Sequence, residues 1–185
     1  MKQLEMQATV LNRVCERQLP KGYKYVVFNG SEKDVADWKS IMTEAPALVT
    51  EDGDLCYRKL ILEFANVKPL TDIYFICNEL GEKVASFTTV TRDDNVGYLH
   101  MVKVKNSERG KGLGHAIATK SLSVFESRNL QTAVLTTDDF RLPAIKTYLD
   151  AGYQPKLVED PESNMLERWN KVLENLNYDK SVIIK

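Results

Sequence analysis

The spacing of apolar residues along this chain changes period several times, and each change marks an element. Residues 7–17 and 23–28 alternate loosely and predict two strands, with Pro20-Lys21-Gly22 as the turn between them. Ser31 with Asp34 three positions on has the form of a helix start, and Val35, Trp38, Ile41 and Met42 then recur at helical spacing before Pro46. A second helix is expected over residues 53–65, with Leu55, Lys59-Leu60 and Leu62-Glu63-Phe64 along its apolar face.

From Ile73 the period drops to two. Residues 73–77, 83–92 and 96–105 predict three strands, joined by turns at 78–82 and 93–95 into an antiparallel meander. The following helix carries Leu113, Ile117, Ala118, Leu122, Val124 and Phe125 as its buried stripe. Residues 131–137 form a short β-branched run beyond this strand–helix crossover, so that strand should lie parallel to the third strand of the meander. A helix is punctuated by Asp138-Asp139, by Pro143 in its first turn and by Gly152 past its end. Residues 153–158 close as a strand. Residues 162–176 form an amphipathic tail with Met165, Leu166, Trp169, Val172, Leu173 and Leu176 on one side, and residues 181–185 suggest an edge strand. The order β, β, α, α, β, β, β, α, β, α, β, α places the chain in the α/β class, with a mixed, mainly antiparallel sheet flanked by helices.

Composition narrows this picture only modestly. With 185 residues, 43% hydrophobic and 28% charged, the chain suits one soluble domain with a real core. Residues 1–70 then supply N-terminal strands and helices, 71–158 a central unit, and 159–185 a C-terminal helix and tail. A formal net charge of -1 provides no global field for nucleic acid or an anionic membrane, so neither partner is expected and local basic residues must hold any anion. Cys15, Cys56 and Cys77 form no metal or disulfide spacing, and His100 and His115 lie far from all three along the chain. Small buried or half-buried thiols in a reducing compartment are expected, and no metal. The N-terminal residues lack an apolar signal core and no run approaches a membrane span, which points to the cytoplasm.

Candidate chemistry concentrates in residues 100–115, where an alternating strand enters a basic, glycine-rich turn and a helix begins at once. Unpaired N–H groups and the positive end of the helix dipole make such a junction a site for phosphate or pyrophosphate. Gly110, Gly112 and Gly114 have GxGxG spacing, which excludes the Rossmann fingerprint GxGxxG. Lys111 is followed by Gly112, not by Ser or Thr, which excludes a Walker loop. Arg109, Gly112 and Gly114 do fit Arg/Gln-x-x-Gly-x-Gly/Ala between a strand and a helix.

That pattern resembles the acetyl-coenzyme A pyrophosphate loop of the GNAT superfamily of N-acetyltransferases. Two further features strengthen the resemblance. Val102-Lys103-Val104 stands where the family has Val-x-Val before the loop, and residues 144–153 (AIKTYLDAGY) match the family's Ala-x-x-x-Tyr-x-x-x-Gly-aromatic helix end. The likeness covers residues 73–158 well and the flanks only loosely. It implies a GNAT fold with a splayed parallel strand pair, acetyl-CoA as co-substrate without a metal, and an amine acceptor. Arg109, Gly110, Lys111, Gly112, Leu113, Gly114 and His115 would hold the pyrophosphate, through charge, close backbone approach and helix-start N–H groups. Met101, Val102 and Val104 would bind the pantetheine arm along the splayed strand, with an N–H of Met101 or Val102 polarising the thioester carbonyl.

The resemblance further gives Tyr148 the role of proton donor to the departing thiolate. Tyrosine near pKa 10 suits a thiol near pKa 8.5. His100 occupies the spacing of a proposed base in the family's serotonin N-acetyltransferase branch, with a water as the alternative acceptor of the proton. Alternation places Tyr98, His100, Val102 and Val104 on one face. Where many members have Asn, this chain has Arg141, which either reaches a nucleotide phosphate or points to solvent. Glu44, Glu51, Asp52 and Asp54 form either an attraction for a cationic amine or a solvated surface, and Trp38 and Trp169 are expected as core anchors. The acceptor is not readable. Many family members dimerise, so a homodimer is compatible with the resemblance. A catalytically silent coenzyme A sensor and a nucleotide-binding regulator are the rival readings.

Overall fold

The computed structural model describes residues 2–12, 15–158 and 164–184. The strands are β1 (Leu4–Thr9), β2 (Lys24–Val27), β3 (Ile73–Cys77), β4 (Lys83–Thr91), β5 (Gly97–Val104), β6 (Thr132–Thr137) and β7 (Gln154–Lys156). The helices are α1 (Glu32–Thr43), α2 (Gly53–Tyr57), α3 (Pro69–Asp72), α4 (Leu113–Ser127), α5 (Leu142–Asp150) and α6 (Met165–Asn175). They build a single α/β domain around a seven-stranded sheet ordered β2-β3-β4-β5-β6-β1-β7. β5 and β6 run parallel and every other pair of neighbouring strands runs antiparallel, as the strand–helix crossover and the meander predict.

Two apolar cores lie against the sheet. One gathers Leu4, Met6, Phe87, Leu99 and Leu135 with Ile117 and Phe125 of α4, Ile145 of α5 and Trp169 of α6. All six residues expected on the buried stripe of α4 are buried. Gly97 is required for close approach here: a β-carbon on it would stand 2.6 Å from the Phe125 ring. The second core joins Trp38, Ile41 and Met42 of α1 to Cys56, Ile61, Ile73 and Phe75. The Ser31 side chain caps α1 by accepting from the Asp34 N–H at 3.2 Å. Trp38 and Trp169 are fully buried, as expected of anchors.

Several boundaries and faces differ from the pattern-based expectation. β1 begins at Leu4, and a 3-10 turn, Val10–Asn12, follows where a longer strand was expected. β1 also inserts between β6 and β7: it pairs with β6 along its whole length and with β7 through Glu5–Gln7, while Leu4, Met6 and Ala8 bury into the first core. The second helix is a short α-helix continued by one π-helical turn, Arg58–Leu62. The wider turn puts Cys56 and Ile61, five residues apart, inside and leaves Leu55 and Leu62 exposed. Leu166 is likewise exposed, off the buried side of α6. Residues 159–163 of the predicted tail lie outside the described residues. The final strand reduces to one parallel bridge between Lys156 and Ile184, after a 3-10 turn at Lys180–Val182. Cys56 and Cys77 are buried free thiols, whereas Cys15 is exposed. Among the described residues, no helix is long and apolar enough to cross a membrane.

Candidate active site

β5 leads into a 3-10 turn at Asn106–Glu108, then into the glycine loop and α4. Gly112 caps the helix at φ +82, a left-handed conformation that side chains resist. The first helical donor to find a carbonyl is Ala116, which bonds Gly112 O at 3.1 Å. The N–H groups of residues 110–115 have no partner among the described residues. The loop therefore concentrates unpaired donors at the start of a fifteen-residue helix, the arrangement a pyrophosphate fits.

The charges around the loop are arranged differently from their order in sequence. Lys111 Nζ lies 2.8 Å from Glu108 Oε2 and 3.2 Å from the Tyr23 hydroxyl, so its charge is matched within the protein. Its hydrogen bonds from Lys111 and Tyr23 hold the Glu108 carboxyl below the usual range. Arg109 donates its backbone N–H to the Asn106 carbonyl at 3.3 Å, while its guanidinium has no ion-pair or hydrogen-bond partner among the described residues. Arg17, which the loop pattern could not reveal, lies against Gly112: a β-carbon there would be 3.3 Å from Arg17 Nη2. His115 sits half-buried on the first turn of α4, and burial followed by the Arg17 charge lowers its pKa.

Beside the loop the sheet opens. Parallel pairing of β5 with β6 runs from Gly97↔Ala133 to Leu99↔Leu135 and stops there. On the other side β5 bulges, because Ser86 pairs with Lys103 and Thr88 with His100, leaving Met101 and Val102 opposite Phe87 alone. Met101 adopts φ +50 to make the bulge. The extra residue reverses the alternation. His100 and Met101 both face the α1–α2 side, whereas Val102 and Val104 pack on the opposite core with α4. The expectation that Tyr98, His100, Val102 and Val104 share one face fails for this reason.

His100 is buried, with its ring stacked on Phe64 at 4.0 Å between centroids and 5.5 Å from the Tyr98 ring. Its Nε2 lies 3.0 Å from the Leu60 carbonyl and so must carry the proton that this bond requires. Burial depresses its pKa to about 4, leaving a neutral and weak base at neutral pH. Tyr148 is half-buried on α5, against the first core, with its ring 6.1 Å from that of Tyr153. Its hydroxyl has no hydrogen-bond partner among the described residues. Burial pushes its pKa up to about 12, and it feels the charge of Arg141 and the Tyr98 phenol.

The connection from α1 to α2 closes over the end of β5. Lys103, buried, donates to the carbonyls of Glu44 at 2.6 Å and Pro46 at 2.7 Å. Burial lowers its pKa. Asn106 donates its N–H to Glu44 Oε2 at 2.8 Å. Arg141 is half-buried and tied back onto the protein: its Nε lies 2.9 Å from Asp138 Oδ2, and its Nη2 is 3.5 Å from the Leu48 carbonyl. Three of the four acids have partners within the protein: Glu44 accepts from Asn106, Asp52 caps α2 and Asp54 pairs with Lys39, while Glu51 is exposed. No His, Cys, Asp or Glu cluster among the described residues has the form of a metal site.

The sequence model of the Acetyltransferase (GNAT) family matches residues 36–153. This chain belongs to that family. The family is one of acetyltransferases, and it uses acetyl-CoA as co-substrate. A mycothiol acetyltransferase of Streptomyces avermitilis is 28% identical over 143 residues, which cover 76% of this chain and 46% of the relative. One from Streptomyces bingchenggensis is 30% identical over the same length, covering 76% and 46%. The chain thus spans about half the length of these curated relatives. Among solved structures, a GCN5-related N-acetyltransferase from Sphaerobacter thermophilus superposes with TM-score 0.63 at 16% identity, over 84% of this chain and 49% of that one. A tandem GNAT protein from the clavulanic acid biosynthesis pathway gives 0.60 at 11% identity, covering 82% and 49%. These superpositions establish the shared GNAT fold. The matched segment contains α4, both motifs and the bulge, whereas β1 and Arg17 lie outside it.

Proposed function

We propose that this GNAT enzyme transfers the acetyl group of acetyl-CoA to a primary amine by direct attack within a ternary complex. The observation that carries the reading is the opening of β5 from β6 beside the Met101 bulge, with unpaired N–H groups at the start of α4 on one side and the unpartnered Tyr148 hydroxyl nearby. When bound, acetyl-CoA supplies an acetyl thioester. Arg109 and the N–H groups of residues 110–115 hold its pyrophosphate, and the freed edge of β5 from Met101 to Val104 takes the pantetheine arm. An N–H at the bulge, from Met101 or Val102, stabilises negative charge developing on the carbonyl oxygen.

Tyr148 returns a proton to the departing sulfur. With its pKa raised to about 12 it stays protonated across the working range, so the acid is always charged with its proton. The base role suits His100 poorly. A pKa near 4 and a ring nitrogen committed to Leu60 make it a positioning residue that fixes the π turn against β5. A water therefore accepts the amine's proton in this scheme. Similarity to mycothiol acetyltransferases makes a mycothiol-type amine the first acceptor to test.

The test is coenzyme A thiol release from acetyl-CoA with a panel of polyamines, amino acids, peptides and mycothiol-type amines. Amine-dependent release with an N-acetylated product supports the reading. Tight coenzyme binding without turnover on any acceptor overturns it in favour of a silent coenzyme A-binding module.

A further inference from the structure

We infer that Arg17, from the segment joining β1 to β2, is a pyrophosphate clamp that replaces the charge Lys111 cannot deliver. The inference rests on the coenzyme site proposed above. Lys111 is the basic residue inside the glycine loop, yet Glu108 and Tyr23 hold its ammonium. Arg17 comes from far away in sequence and lies flat against the open Cα of Gly112, where a β-carbon would stand 3.3 Å from Nη2 and 3.5 Å from Nε. Its guanidinium has no carboxylate or other side-chain partner among the described residues.

The backbone around Arg17 is anchored, which separates it from an ordinary surface arginine. Its own N–H donates to Thr119 Oγ1 on α4 at 3.0 Å. The preceding residue, Glu16, pairs with Lys120 of the same helix at 3.3 Å. Two successive residues are therefore tied to the first turns of the helix whose free N–H groups form the anion site. The effect of the Arg17 charge on His115 places its field over that same turn. A planar guanidinium beside unpaired N–H donors recognises the paired oxygens of a diphosphate better than a single ammonium does.

The experiment measures equilibrium dissociation constants by calorimetry for coenzyme A and for 3′-dephospho-coenzyme A, with wild type, Arg17→Ala and Arg17→Lys. Loss of a charge-assisted contact predicts that Arg17→Ala weakens both ligands about tenfold or more, and that the loss shrinks as salt is raised. Arg17→Lys should recover part of the affinity, an outcome that loss of fold would not produce. Affinities within twofold of wild type for Arg17→Ala overturn the inference and leave the coenzyme site standing. A loss seen with coenzyme A but not with the dephospho form overturns it by moving the contact to the 3′-phosphate. A wild type that binds neither ligand overturns the coenzyme site and the clamp together.

Discussion

The two faces of the sheet bury their residues by different means. Against α4, α5 and α6 the core is apolar, and its buried hydroxyls are satisfied close by: Ser121 bonds within α4 and to Tyr153, and Thr119 bonds within α4. Under α1 and α2 the sheet buries polar groups that depend on partners far along the chain. Lys83 pairs with Asp34 and Asp37, Lys103 with the carbonyls of Glu44 and Pro46, and His100 with Leu60. Ser86 and Thr88 are fully buried on this side, and their hydroxyls have no hydrogen-bond partner among the described residues. The first face gains stability from area removed from water, roughly 25 cal/mol per Å² of apolar surface, and tolerates charge changes elsewhere. The second depends on ionisation states and on long-range contacts, so it should respond most to polar substitution and to pH.

The sharpest way to break this contrast is Lys83→Ala. Removing the ammonium leaves Asp34 buried beside only its Asn29 and Ser31 hydrogen bonds, which should cost about 3–5 kcal/mol in urea unfolding. A loss under 1 kcal/mol would mean that the polar face does not depend on this pair. On the other face, Tyr148→Phe removes an unbonded hydroxyl and should leave the unfolding midpoint almost unchanged. Turnover should fall about hundredfold, roughly 3 kcal/mol of barrier, with the dissociation constant for coenzyme A unaltered. Weakened coenzyme binding with turnover per bound complex intact would count against the acid role.

Acid titration tests the polar face as a whole. His100 has a folded pKa near 4 against 6.5 unfolded, so between these values the unfolded chain binds more protons. Its contribution is fully present above pH 6.5 and is lost as pH falls toward 4, about 3 kcal/mol in all. His100→Gln should remove that part of the pH dependence, and an unchanged profile would refute the assignment. The smallest effect belongs to the loop: Gly112→Ala forces a side chain into a left-handed conformation beside Arg17, at a cost of about 1–2 kcal/mol. Coenzyme affinity measured by calorimetry should fall with it, whereas an alanine that stabilises the protein would show the strain to be absent.

Legibility in the sequence follows the same division. The meander, the α4 stripe, the parallel β5–β6 pair and the two helix-bounded motifs rest on local periodicity and turn chemistry, and they appear where the pattern predicts them. On the second helix Leu60 and Phe64 pack inward as the pattern predicts, but Leu55 and Leu62 are exposed, because a π turn is not distinguishable in composition from an α turn yet shifts later residues around the axis. The bulge at Met101 left no sign either, since a methionine in the left-handed region carries none of the marks that Gly or Asn would. Nothing local announces that Lys111 pairs inward or that Arg17 folds over Gly112.

By itself, the sequence determined the α/β class and the order of the main elements, and it marked the strand–glycine loop–helix junction, because those follow from spacing between near neighbours. Tertiary structure alone decided which cations face that loop, how weak a base His100 is, and which strand fills the gap between β6 and β7. Each of these depends on burial or on a partner more than thirty residues away, and a linear pattern carries no record of either.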